Sequence, residues 1–415
     1  MSKEIYCTIC SKNYLSLAFS LYESYRNSGG IGYFVILLVD KRENTALHFP
    51  DGLAVMYAED LKIPGFNELA FIYDITELNT AVKPTLLKCL LKHYGAETVT
   101  YLDPDTFFFS PPQTITKFHD EHSIVFSPHA LTPHPIGEVA GERMYSKIGT
   151  FNLGFVSVRN DGNAARFLDW WEERCLNLCF NEPYTGLFVD QKWCNLAPVF
   201  FDGTHAPKHF GLNMGCWNLH ERRLVKKGQS WFVNGQDPLV FYHFSNFLFH
   251  DKTRVSKHTG KLSFADRPDL EEIYTIYRGS VAAWRSRLPE FKYSFGAFTN
   301  GAPIPNLARK LYLGSPYREE KRDPFDHQSE FYKYLKRRRL LDHLKIAKGD
   351  TAISIDRDDW RLKVFHFLAR SSASILGAAR YEQLLKYAAY TCMPRNQGYV
   401  FFEEHNRKKP AIDFK

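Results

Sequence analysis

The stretch Thr98-Val-Thr-Tyr-Leu-Asp-Pro-Asp-Thr-Phe-Phe-Phe109 sets two carboxylates, one residue apart, at the end of a short apolar run. Thr98 to Leu102 has the length and composition of a buried strand. In an open α/β sheet, ligands gather outside the carboxyl ends of the strands, and that is where Asp103 and Asp105 stand. Such a pair suits a hard cation that takes oxygen ligands and leaves positions for phosphate oxygens. Pro104 stiffens the spacing between them. Two exposed turn aspartates are common, so the strand before the pair and the three phenylalanines after it give the motif its weight.

The pattern upstream alternates strands and helices. Ile5 to Cys10 reads as a strand, and Tyr14 to Asn27 as a helix stopped at Gly29-Gly30. Tyr33 to Val39 reads as a strand buried on both faces, and Leu53 to Ala58 as another. A helix opens at Lys83-Pro84, where proline is tolerated in the first turn, and runs to His93. This order predicts an α/β fold, Rossmann-like, with a mixed and mainly parallel sheet and helices on both faces.

Downstream, Ile124 to Phe126 and Gly154 to Val158 read as strands and Asn163 to Asn177 as a helix. From about Arg254 to Ala308 the chain is polar with scattered aromatics, and from Tyr312 it is mostly helical and basic. The expected division is a catalytic domain over 1–260 and a mostly helical C-terminal extension over 261–415.

The net charge of +7 favours anionic partners, but no nucleic-acid recognition motif accompanies it, so nucleic acid is excluded. The start runs into a strand rather than an apolar leader, and no run of about 18 apolar residues occurs. The eight cysteines read as reduced thiols, with Cys7 and Cys10 on opposite faces of one strand. A cytoplasmic location is expected from these features. Peripheral attachment to the cytoplasmic face of the inner membrane, through the basic stretch Lys333 to Lys348, is the added expectation.

Several separate segments of the first 250 residues resemble GT-A glycosyltransferases, in particular the retaining glycosyltransferase family eight. Asp103 and Asp105 match that family's D-x-D, and His243, in Phe241-Tyr-His-Phe-Ser-Asn-Phe247, matches its late histidine. The resemblance implies that these three hold Mn²⁺ or Mg²⁺. Ser11-Lys-Asn-Tyr14 resembles the nucleotide-base loop, with Tyr14 stacking on the base and Asn13 bonding base or ribose. Ser11 and Lys12 depart from the family's acidic residues there. Thr8 in the strand before this loop, Lys83, and Lys257 in Ser256-Lys-His258 are implied donor contacts, although the usual G-x-K-P-W form around Lys257 is absent.

Thr150-Phe-Asn-Leu-Gly-Phe155 resembles the family's F-N-x-G segment, in which Asn152 would bond donor sugar hydroxyls and Gly154 would allow close approach. Val189-Asp-Gln-Lys-Trp-Cys-Asn195 resembles D-Q-x-x-x-N, implying Asp190 on the donor sugar and Gln191 near the anomeric carbon. Asp190 also reads as the cap of a helical turn. Trp217 reads as core or as an acceptor-sugar platform.

The implied activity is metal-dependent transfer of a sugar from a nucleotide-diphosphate sugar, taken as a UDP-sugar, to a glycan or lipid-linked saccharide acceptor, with retention. Polysaccharide or lipopolysaccharide biosynthesis is the expected setting. The alternatives are an inverting GT-A enzyme with Asp190 as base, a nucleotidyltransferase, and a non-catalytic glycan-binding protein. The absence of glycine from Cys10 to Ala18 argues against the nucleotidyltransferase.

Overall fold

A computed structural model describes residues 4–42, 47–136, 140–257, 262–341 and 360–406. It divides into two compact units, one of Met1–Phe66 with Ile75–Phe295 and the other of Asn67–Asp74 with Gly296–Lys415.

The first unit is built on seven strands: β1 (Glu4–Cys10), β2 (Tyr33–Leu38), β3 (Leu53–Tyr57), β4 (Thr98–Leu102), β6 (Ile124–Pro128), β7 (Phe151–Arg159) and β8 (Thr204–His205). Their order across the sheet is β8-β6-β7-β4-β1-β2-β3. β1 pairs in parallel with both β2 and β4, and β2 with β3, whereas β7 runs antiparallel to β4 and β6. The mixed, mainly parallel sheet expected from the strand–helix alternation is therefore present. Strands covered on both faces need continuous apolar runs, and β2 is buried at every position after Tyr33.

Helices cover both faces. α1 (Leu15–Asn27) sends Leu15, Phe19 and Tyr25 into one core with Tyr6 and Cys10 of β1. Cys7, on the other side of the β1 pleat, lies instead near Lys83 at the start of α2 (Lys83–His93), which packs against α3 (Gly162–Leu178). The two cysteines thus face apart as the period of a strand requires. Asp161 caps α3 by accepting hydrogen bonds from the backbone N–H groups of Asn163 and Ala164.

A second, small sheet orders β9 (Met214–Gly215), β10 (Phe241–His243) and β5 (Thr106–Phe108). β10 runs antiparallel to β5, with His243 opposite Thr106. The stretch read as polar with scattered aromatics contains the helix α4 (Glu271–Arg285), which packs on α1. Its buried positions Ile273, Tyr274, Tyr277 and Val281 form a helical stripe, but two of the four are tyrosines, which blunts the apolar signal.

The second unit is mostly helical, as expected of the C-terminal region, with α5 (Asn306–Leu313), α6 (Glu330–Arg337) and α7 (Trp360–Thr391). Phe71 lies at its centre against the rings of Phe298, Tyr312, Phe325 and Phe331. Arg309 donates hydrogen bonds to the carbonyls of Ala70, Phe71 and Tyr73 from inside this core.

Candidate metal and donor site

Strand order decides where the site forms. β1 has β2 on one side and β4 on the other, so the connections leaving β1 and β4 diverge and open a crevice at their carboxyl ends. Ser11 to Tyr14 leaves β1 at this point, and Asp103 to Asp105 leaves β4. A cleft of about 750 Å³ is lined by Asn13, Tyr14, Asp105 and Lys257 together. The structure so brings to one wall four residues that are scattered along the sequence.

The acidic pair meets the histidine at the edge of this cleft. Asp103 donates its backbone N–H to the carbonyl of Gly154 in β7, and the main-chain oxygen of Asp105 accepts from Phe244, the residue after β10. The short pairing of β5 with β10 carries His243 back beside the carboxylates. Its Nε2 lies 3.0 Å from Asp105 Oδ1 and 3.7 Å from Asp103 Oδ2. One ligand atom from each of the three residues lies within 4.8 Å of the others. Two carboxylate oxygens and one imidazole nitrogen form a donor set that fits Mn²⁺ or Mg²⁺.

The imidazole is buried, and burial opposes its protonation. The Asp105 and Asp103 carboxylates outweigh that effect and hold its pKa above the ordinary histidine value. Gly154 makes the approach possible, because a Cβ there would stand 2.7 Å from His243 Nδ1. The glycine read as room for a ligand is room for the histidine ring. Trp217 meets the same ring edge-on at 5.0 Å between centroids, and its own ring lies over Gly215.

A buried polar layer stands behind the carboxylates. Lys83 forms an ion pair of 2.6 Å with Asp190, donates to the carbonyl of Leu153 and lies 4.2 Å from the Tyr101 ring centroid. Tyr101 in turn donates its hydroxyl proton to Asp103 Oδ1 at 2.6 Å. Burial disfavours the ammonium of Lys83, but the Asp190 and Asp103 carboxylates prevail and raise its pKa. Lys83 is thus neither solvated nor among the residues lining the cleft. Asp190 does not cap the following turn, whose N-cap is Gln191 without a side-chain bond. Val189, just before it, holds φ at 41°, a strained value for a β-branched residue.

Gln191 accepts from the backbone N–H of Leu153 and donates to the carbonyl of Ile148, which fixes its amide. Asn152 accepts from the Gly154 N–H and from Asn213 Nδ2, and its own amide lies 3.4 Å from His129 Nε2. Thr8 is buried in β1, away from the cleft lining, and its hydroxyl has no partner among the described residues. Tyr14 is 47% exposed and so belongs to the cleft rather than the core.

Other residues of the site escape sequence reasoning. Arg285 of α4 lines the cleft with its guanidinium 4.9 Å from the Phe249 ring centroid, beside Lys12 of the Ser11–Tyr14 loop already singled out in the sequence. With Lys257, these cations favour an anionic ligand. His129 is buried against the carbonyl of Thr150 and stacks on Tyr145. Burial holds it neutral, with its pKa brought down to about 4.

No family model matches the chain. It is similar to two Bacillus subtilis (strain 168) proteins, the uncharacterized proteins YfnF and YfnD. Identity with YfnF is 27% over 272 residues, covering 65% of this chain and 89% of that one. Identity with YfnD is 24% over 310 residues, covering 72% and 95%. Among solved structures, an active-site mutant of LgtC aligns at a TM-score of 0.42 and 15% identity, covering 68% of this chain and all of that one. Apo mouse xyloside xylosyltransferase 1 aligns at a TM-score of 0.37 and 10% identity, covering 59% and 98%. Values this low assign neither family nor activity, so the site geometry carries the functional reading.

Proposed function

We propose that the chain is a metal-dependent GT-A glycosyltransferase that moves a sugar from a nucleotide-diphosphate sugar to a glycan or lipid-linked saccharide. The observation that carries this reading is the meeting of Asp103, Asp105 and His243 at the edge of the cleft that also holds Asn13 and Tyr14. A divalent ion on these three residues would neutralise the leaving diphosphate. Tyr14 and Asn13 would hold the base and ribose, and Lys257 the diphosphate. A UDP-sugar is the donor that the resemblance to family eight implies.

The residues behind the carboxylates support transfer with retention. Gln191 is an amide fixed by two backbone hydrogen bonds and is a poor nucleophile. Asp190 is buried on Lys83 and poorly placed to act as a solvent-facing base, which disfavours an inverting mechanism. The acceptor hydroxyl would attack on the face the diphosphate leaves, with a diphosphate oxygen taking its proton. Asn152 would orient the donor sugar.

The same reading assigns catalysis to the region before residue 260 and acceptor or membrane contacts to the remainder, with the protein on the cytoplasmic face of the membrane. Incubation with a panel of nucleotide sugars and Mn²⁺, scoring nucleotide release, tests the activity. Release from one donor, lost on chelation and in Asp103→Asn, is expected. Metal-independent release, or none from any donor, would overturn the proposal.

A further inference from the structure

No helix among the described residues is long and apolar enough to cross a membrane. One nevertheless exposes large apolar side chains along its length. In α7, Trp360 is 71% exposed, Phe367 63% and Ile375 81%, and Val364 and Leu368 are exposed with them. At about 100° per residue these five positions fall within an arc of about 100°, and Phe365 and Leu376, exposed as well, widen the apolar side to about 180°. Contiguous apolar surface left in water marks a contact still to be made. The α helix breaks at Gly377 (φ 71°, ψ 163°), which confines the stripe to its first half.

Charge indicates what covers the stripe. Residues 360–391 carry Arg361, Lys363, Arg370, Arg380 and Lys386 against the single acid Glu382. On the same projection Lys363 and Arg370 fall along one flank of the stripe. A second copy of this helix would set like charges against each other, whereas lipid phosphates would offset them. The basic stretch beginning at Lys333 is a weaker candidate, because the apolar residues Phe331 and Leu335 of α6 are already buried in the second unit.

We propose that the first half of α7 lies in the plane of a bilayer surface rich in anionic phospholipid. Its five apolar side chains enter the interface, and Lys363 and Arg370 sit at the headgroup phosphates. This contact is independent of sugar transfer and needs neither metal nor donor.

Flotation of the full-length protein with phosphatidylcholine vesicles, with and without phosphatidylglycerol, tests the proposal. Binding to the anionic vesicles alone is expected, weakening as salt rises. The double variant Phe367→Asp/Ile375→Asp should bind on the order of tenfold more weakly or worse, and Lys363→Glu/Arg370→Glu likewise. The four side chains are exposed, so both variants should melt as the wild type does, and Asp105→Asn should bind vesicles unchanged. The proposal is overturned if the wild type ignores anionic vesicles, if both double variants bind as it does, or if sedimentation velocity reveals a dimer that Phe367→Asp/Ile375→Asp separates.

Discussion

Asp103 and Asp105 differ in their supports. Asp103 accepts the Tyr101 hydroxyl, while Asp105 stands 3.0 Å from His243. Replacing either by Asn removes a charge that a divalent ion requires, so donor turnover should fall on the order of 10³-fold in each variant, measured as nucleotide release. Gly154→Ala keeps all three ligand residues but pushes the His243 imidazole aside. Mn²⁺ affinity, read by calorimetry, should drop about 10- to 100-fold. His129 gives a pH signature. Its folded pKa of about 4 lies below the unfolded value of about 6.5, so the unfolded chain binds the extra proton. Stability is therefore whole above about pH 6.5 and is lost as pH falls towards 4, at about 1.4 kcal/mol per pH unit. Denaturant titrations of His129→Gln should lack that component of the slope. The D-x-D pair is legible in the sequence because it ends an apolar strand run that marks the sheet edge, and His243 is legible through the resemblance to family eight. His129 is not, since its burial comes from Thr150 and Tyr145, which no local pattern links to it.

Elements tie these side chains together. Lys83 opens α2 and meets Asp190, which follows the strained Val189, so one ion pair joins α2 to the D-Q loop. Lys83→Met strands a buried carboxylate and should cost about 3–5 kcal/mol in denaturant unfolding. In the second unit, Arg309→Met leaves the carbonyls of Ala70, Phe71 and Tyr73 without their shared donor. A loss of about 2–4 kcal/mol is expected, read as a lower melting temperature that Arg309→Lys only partly restores. The limits of α2 can be read from Lys83-Pro84 and the run to His93, because proline and apolar spacing are local signals. α4 hides among aromatics, and with it Arg285 on the cleft wall. Lys83 reads from the sequence as a donor contact and its ion pair is not legible there, since its partner Asp190 stands more than a hundred residues away.

Across the whole molecule, the order of parallel strands around β1 does the selecting. It places the loops after β1 and β4 at one crevice and lets the short pairing of β5 with β10 return His243 to them. That convergence is a tertiary property. The sequence supplies the candidate residues and the alternation that implies a parallel sheet, but the 3.0 Å between Asp105 and His243 arises only from strand order. A calorimetric titration of UDP into the protein, with and without Mn²⁺, tests the convergence most directly when run on wild type and on His243→Ala. UDP binding that requires Mn²⁺ and is lost in the variant is the result expected. Equal binding without metal, or a His243→Ala protein that binds Mn²⁺ and UDP as the wild type does, would contradict it.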